Sequence, residues 1–365
     1  MENQKSCTAS ISLNGEEPPQ RVGLTLEKTQ TEESHLLTPL FREMGLFPVE
    51  YKPETINQNN FCWIEVVRNI ETCQELWKEF EPPQTFFDTW EFRMAFYQAY
   101  HHNPYFMVLR NQKEILALLP LWYEEDEKKY FWFGSSWQEE VRFFAKKPEY
   151  IIPLLHNAPR PLFLNAISQD SISHIKEKLE FQEDDSKYVL HLEGFKNQED
   201  YLMTLKKNTR RNLRKDRNRI LKMNPEIIID NFSNIEDMIK LCKKRFSEKS
   251  KSADWEDPRR IETFKNVIKL AGTSYKIRMI TIKIDNKIAG VDLIALFKDT
   301  YLAIKCGYNV KEFSGIGNFM NLTEIDDAVK IGMKKIDFLQ NNYHWKSGLF
   351  ESVPLFKYEK DEENS

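Results

Sequence analysis

Residues 278–306 read RMITIKIDNKIAGVDLIALFKDTYLAIKC, and this stretch decides the fold. Arg278–Ile284 alternates polar and apolar positions, Asp285-Asn286-Lys287 is a turn, and Ile288–Phe297 is a second apolar run. Lys298-Asp299 makes a tight turn before a third run, Tyr301–Cys306. Three strands joined by short polar turns form an antiparallel meander. Downstream, Phe319, Leu322, Ile325 and Val329 recur at helical spacing, so Asn318–Gly332 reads as a helix, and Lys335–Leu339 as a strand. A strand–helix–strand step within one sheet predicts a parallel pair and a right-handed crossover. Upstream, Arg260–Tyr275 reads as a helix.

The same series occurs about 170 residues earlier. Thr89–Tyr105 carries Trp90, Met94 and Tyr97 at helical spacing, followed by the strands FMVLR, ILALLPLWY and YFWFG with polar turns between them. Pro148–Leu155 and Pro161–Asn165 repeat the closing helix and strand. The order αβββαβ written twice predicts a mixed α/β sheet built from two related units. The expected division is a flexible arm over 1–60, a first unit over 61–195, a second over 196–357 and an acidic tail over 358–365. Between the units, Ser186–Leu192 reads as a strand, Gln198–Met223 as one long helix, and Ile235–Lys249 as another helix.

The chain has 365 residues, 41% hydrophobic and 13% aromatic, which suffices for a substantial core. Its longest apolar run, Ile115–Tyr123, is far short of the roughly 20 residues of a membrane span. The N-terminal residues contain no apolar signal core, so a cytoplasmic location is expected. Five cysteines without a C-x-x-C pair read as free thiols, and the seven histidines form no metal-binding spacing, so no metal is expected. The net charge of −4 conceals a division: 1–195 hold 19 basic and 31 acidic residues, whereas 196–365 hold 33 and 25. The basic second half is therefore the place to seek an anionic ligand.

Three stretches carry candidate chemistry. Ser314, Gly315, Ile316, Gly317 and Asn318 open the helix that follows the third strand of the second meander. Unpaired N–H groups at a helix start, approached across glycine, suit a pyrophosphate; the same residues also make an ordinary strand–helix turn. Lys206–Lys222 holds nine basic residues and one acid, with Arg210, Arg211, Arg214 and Arg217 on one broad helical face. Such a face suits phosphates or an RNA backbone, or is simply solvated. Residues 337–346 end a strand in polar and aromatic side chains, where open α/β sheets bind ligands. There His344 suits a general base, Lys346 an anion, and Tyr343 and Trp345 either a substrate or the core. Asp292 interrupts an apolar strand, which marks it as catalytic if it faces inward and unremarkable if it faces out. Tyr308, just past the next strand, suits a general acid or packing.

Taken in order, FFDTWEFRMAFYQAY, ILALLPLW, LKKNTRRNLRKDRNRI, SGIGNFMNLTEIDDAVKIGMKKIDFL and WKSGLF resemble the GNAT acyltransferases, specifically the double-GNAT group called BioF2-like or CelD (BcsL)-like. The resemblance implies tandem GNAT units and an N-acyltransferase that moves an acyl group from acetyl-CoA or another acyl-CoA onto an amine, such as that of a sugar or envelope precursor. It places the pyrophosphate at Gly315 and Gly317, with Glu312 where the family has Arg or Gln, and the family's Tyr-Lys pair on Trp345-Lys346. It puts the thioester between splayed strands near Val291–Ala295 and Ala303–Cys306. The first unit has FGSSWQEE in place of the glycine loop, which implies a copy without a cofactor. The double fold is also similar to Fem-type transferases, which implies aminoacyl-tRNA as the rival donor and tRNA as a partner of the basic helix.

Overall fold

The computed structural model describes residues 46–48, 62–135, 137–247, 254–341 and 345–362. Most of the expected arm, together with Tyr343 and His344, lies outside the described residues. The first unit runs β1 (Leu46–Pro48), β2 (Cys62–Val67), α1 (Ile70–Lys78), α2 (Trp90–Tyr100), β3 (Pro104–Asn111), β4 (Ile115–Glu124), β5 (Lys129–Trp132), β6 (Phe144–Ala145), α3 (Ile151–Asn157), β7 (Leu162–Ser168) and α4 (Gln169–Ile172). Next come β8 (Gln182–His191), α5 (Gln198–Thr204), α6 (Lys207–Leu221), β9 (Glu226–Ile229), α7 (Ile235–Ser247) and α8 (Pro258–Lys269). The second meander is β10 (Lys276–Ile284), β11 (Lys287–Phe297) and β12 (Thr300–Tyr308), closed by α9 (Ile316–Lys330), β13 (Lys335–Asp337) and β14 (Glu351–Lys360).

The fourteen strands of the described residues join one mixed sheet, in the order β1-β2-β3-β4-β5-β7-β14-β8-β13-β12-β11-β10-β9 with β6 on β4. The expected duplication is present: each meander is antiparallel, and each crossover gives a parallel pair, β5 with β7 and β12 with β13. The sheet nevertheless crosses the boundary expected near residue 195. β8, the last strand within residues 61–195, pairs with β13 of the second unit, and β14 pairs with β7 of the first. The units have thus exchanged their last strands. They also share a core in which α2 packs on α8, Tyr275 meets Phe86 at 4.9 Å and Trp137 meets Phe264 at 5.1 Å. Each large apolar side chain buried there contributes roughly 1.5–3 kcal/mol.

Two expectations are corrected. Gln198–Met223 is not one helix: the chain extends through Leu205 and Lys206, and α5 and α6 fold back beside each other. The reason is visible in Glu199, which pairs with both Arg214 and Arg217. In a straight helix, fifteen residues would hold Glu199 and Arg214 about 22 Å apart. Nor do β11 and β12 splay, since their ladder runs from Gly290 opposite Tyr308 to Phe297 opposite Thr300 with one bulge. The divergence lies between β12 and β13, which share only Thr300↔Lys335, Tyr301↔Ile336 and Leu302↔Asp337. Leu339, at φ 61°, turns the chain away after β13.

Candidate active site

The turn after β12 is built to leave amides open. Phe313 N–H closes on Asn309 O at 2.9 Å and Ile316 N–H on Phe313 O at 3.1 Å, which delivers Gly315 to the N-cap of α9. Gly315 has φ +91°, and a Cβ there would sit 2.9 Å from Asp216 Cβ, so glycine is required on both counts. No side chain caps α9. The N–H groups of Gly317 and Asn318 are therefore left without a cap at the positive end of a helix dipole. Two residues of α6 frame this turn: Arg219 Nη1 donates to Ser314 Oγ at 2.9 Å and Ser314 O at 3.2 Å, and Asp216 accepts from Asn318 Nδ2 at 2.7 Å. Beside them lies an open depression of about 510 Å³ lined by Lys215, Asn218, Arg219, Lys222 and Met223. Glu312 turns elsewhere, to Lys287 and Asn309. The cation at this turn is therefore Arg219 from another helix, and the residues present fit a phosphate-bearing ligand.

Beneath the turn is a buried acidic cluster. Asp292 is 1% exposed, and both of its oxygens are buried without a hydrogen bond of good geometry, although Tyr308 and Glu324 lie close by. Glu324, on α9, is equally buried. The next turn of α9 contrasts with it: Asp327 receives Arg278 through two bonds, at 2.5 and 2.6 Å, and the Tyr301 hydroxyl at 3.2 Å. Among the described residues Asp292 and Glu324 have no such cation. Burial pushes the Asp292 carboxyl up to about 7, and burial with the neighbouring Asp292 raises Glu324 well above the carboxylate range. Burial and then Asp292 hold the Tyr308 phenol protonated. Two carboxyls in one apolar site share at least one proton near neutrality. Cys306, opposite Asp292 in the ladder, keeps solvent contact although protein atoms crowd it; burial and Asp292 push its thiol up to about 12. It is thus a thiol rather than a nucleophilic thiolate.

A third cluster holds the end of β13 and is made largely by the first unit. Lys187 bridges Glu140 at 2.7 Å and Asp337 at 2.8 Å. Burial works against its charge, but the two carboxylates outweigh burial and raise it. Glu139 accepts from Gln340 N–H at 2.8 Å, and Lys305 lies over the Trp137 ring at 4.4 Å.

Each residue singled out from sequence has a definite place, apart from Tyr343 and His344. Asp292 and Tyr308 do come together, beside the Ser314–Asn318 turn: a Cβ at Gly317 would lie 3.5 Å from the Tyr308 ring. Arg210, Arg211 and Arg214 differ in their partners and exposure. Arg210 donates to Met203 O at 3.3 Å, Arg214 pairs with Glu199, and Arg211 alone is exposed. Lys346 is corrected from an anion holder to a clamp, because its buried ammonium donates to Phe338 O at 2.6 Å, Leu339 O at 3.3 Å and Gln340 O at 2.7 Å. Trp345 is exposed and sits edge-on to Phe350 at 5.9 Å. Sequence reasoning missed Glu324, Arg219, Glu139 and Lys187, each of which reads as a surface charge until its partner is known.

Among the described residues no cluster of three or more His, Cys, Asp or Glu could hold a metal ion, and no helix is long and apolar enough to cross a membrane. Residues 207–347 match the family described as acetyltransferase (GNAT) domain. No curated protein matches the chain in sequence. Its fold is similar to the crystal structure of FemX, at TM-score 0.52 and 10% identity over 81% of this chain and 98% of that one. It is also similar to a conserved protein of unknown function from Bacteroides thetaiotaomicron, at TM-score 0.51 and 11% identity over 80% and 98%. A third likeness is to L-PGS from Bacillus licheniformis, at TM-score 0.50 and 11% identity over 76% and 93%. The match to the acetyltransferase (GNAT) domain thus covers residues 207–347, which hold the turn after β12 and the helix α9, within a fold whose αβββαβ order is written twice.

Proposed function

We propose that this chain is an acyltransferase that takes its acyl group from acetyl-CoA or another acyl-CoA and moves it directly onto an amine, for instance that of a sugar or envelope precursor. The observation that carries the reading is the uncapped start of α9 beside the β12–β13 divergence. Amides of Gly317 and Asn318 would hold the pyrophosphate, with Ser314 and Arg219 completing the cradle. Arg219 takes the part that Arg or Gln plays at position 312 in the resembling family.

In the transfer the amine nitrogen bonds to the thioester carbonyl carbon, the C–S bond breaks, and the sulfur leaves with the electron pair. The amine proton needs an acceptor that is unprotonated part of the time near neutrality. Asp292, at about 7 with Glu324 and Tyr308 beside it, has that property; His344 is the second candidate. The protonated state of Cys306 favours direct transfer over an acyl-cysteine intermediate. The exposed Trp345, with Tyr343, would meet the acceptor.

Titration calorimetry with acetyl-CoA tests the reading. Saturable binding, weakened at least about tenfold in Arg219→Ala, supports it. A folded protein that takes up no acetyl-CoA at millimolar concentration would sink it.

A further inference from the structure

Most of the basic helix lies outside the proposed cradle of Ser314, Arg219 and the α9 amides, although Lys215, Lys222 and Met223 also line the depression beside it. Lys207, Arg211, Lys215 and Lys222 fall within an arc of about 80° on α6, at about 100° per residue. All four are exposed, and none has an ion pair or a side-chain hydrogen bond among the described residues. The inner cations differ, since Arg214 and Arg217 are neutralised by Glu199 and Arg219 by Asp216. The stripe lies opposite Leu213 and Ile220, which anchor the helix in the core. Like charges four residues apart destabilise a helix, so the stripe costs stability unless an anion faces it.

An apolar margin adjoins it. Seven large apolar side chains stand exposed among the described residues, and four of them are Leu221 (49%), Met223 (36%), Ile227 (48%) and Ile229 (38%). Ile227 and Ile229 are opposite Ile282 and Ile280 on the terminal strand β9, so they point to the sheet face that α6 covers. The cationic stripe and the apolar margin therefore look out from the same side of the molecule.

We infer that the outer face of α6 with β9 docks on an anionic lipid membrane, its lysines and arginine meeting headgroup phosphates and its Leu, Met and Ile side chains entering the interface. Basic residues beside exposed aliphatic ones are what such a surface selects. A nucleic acid fits less well, because α6, β9 and the link between them contain no aromatic ring on which a base could stack. A second copy is disfavoured, because an isologous contact would bring the cationic stripe against itself. The inference stands apart from the identity of the acyl donor.

Cosedimentation of the full chain with vesicles of phosphatidylcholine, with and without phosphatidylglycerol, tests it. The wild type should pellet with the anionic vesicles and not the neutral ones, and 0.5 M-range salt should release it. Lys207→Glu with Arg211→Glu should weaken binding by at least about tenfold. Ile227→Ser with Ile229→Ser should weaken it severalfold while leaving its salt dependence intact, with circular dichroism melts confirming that both variants fold. Equal pelleting with both vesicle types, or none, overturns the inference. So does tRNA binding that the charge variant abolishes and the serine variant does not, in the absence of vesicle binding. A dimer in light scattering that the serine variant dissolves would reassign the margin to self-association and overturn it equally.

Discussion

After the third strand of each meander the chain turns through a left-handed glycine, Gly134 at φ +93° in the first unit and Gly315 at φ +91° in the second. Both lie under a charged residue at the same distance: a Cβ would meet Arg93 Cδ at 2.9 Å in one and Asp216 Cβ at 2.9 Å in the other. From there the units part. Arg93 is wholly buried, donates to Phe87 O and to Phe133 O at 2.7 Å, and faces the buried Asp88 at 3.6 Å. No helix follows directly; a two-residue strand and the short α3, with Pro153 inside it, come instead. In the second unit the charged residues over the glycine stay at the surface, and a fifteen-residue helix starts uncapped. One backbone device thus closes a core in one copy and presents amides in the other. The charge above the glycine is buried in the first copy and partly exposed in the second.

Substitutions can break this comparison. The largest effect belongs to Arg93→Ala, which strands Asp88 in the core; chemical denaturation should show a loss of about 3–5 kcal/mol. Arg219→Ala, which removes the cation bound to Ser314 beside Gly315, should cost under about 1 kcal/mol in the same assay while impairing donor binding. Next comes the buried pair. Because burial holds the Asp292 carboxyl at about 7, the folded chain binds that proton more tightly than the unfolded chain. The resulting stability is complete below the ordinary carboxylate range and is lost as pH rises through about 7. Asp292→Asn should therefore have a flatter Tm profile between pH 5 and 8 than the wild type, and a transfer rate reduced about a hundredfold or more. A wild-type profile equally flat would remove Asp292 from the proton path. Gly315→Ala should follow, costing about 1–2 kcal/mol from the forced left-handed residue and the contact with Asp216, measured by thermal melts. Smallest is Glu199→Gln. It frees Arg214 and Arg217 at a surface pair, so denaturation should change by no more than about 1 kcal/mol.

Much of this architecture is written locally. The meander, its repetition, the glycine turn and the oddity of Asp292 in an apolar strand all show within windows of a few residues. Features that depend on distant partners do not. The exchange of β8 and β14 leaves no local pattern, since each strand alternates in the same way whichever unit it joins. Glu324 reads as the polar side of an amphipathic helix until Asp292 is placed against it. Arg219 is one of nine similar cations, and only the approach of Ser314 distinguishes it. The break after Thr204 is likewise caused by Glu199 reaching Arg214, a contact between two helices. The splay was expected one strand pair too early because a ladder's end depends on register rather than composition.

The central claim is that the amides after β12, and not those after β5, receive the acyl donor. Hydrogen exchange with and without acetyl-CoA tests it most directly. The account predicts slowed exchange in peptides spanning residues 313–320 and no change in those spanning 133–141. Protection at the first unit's turn, or binding that leaves residues 313–320 unprotected, would contradict it.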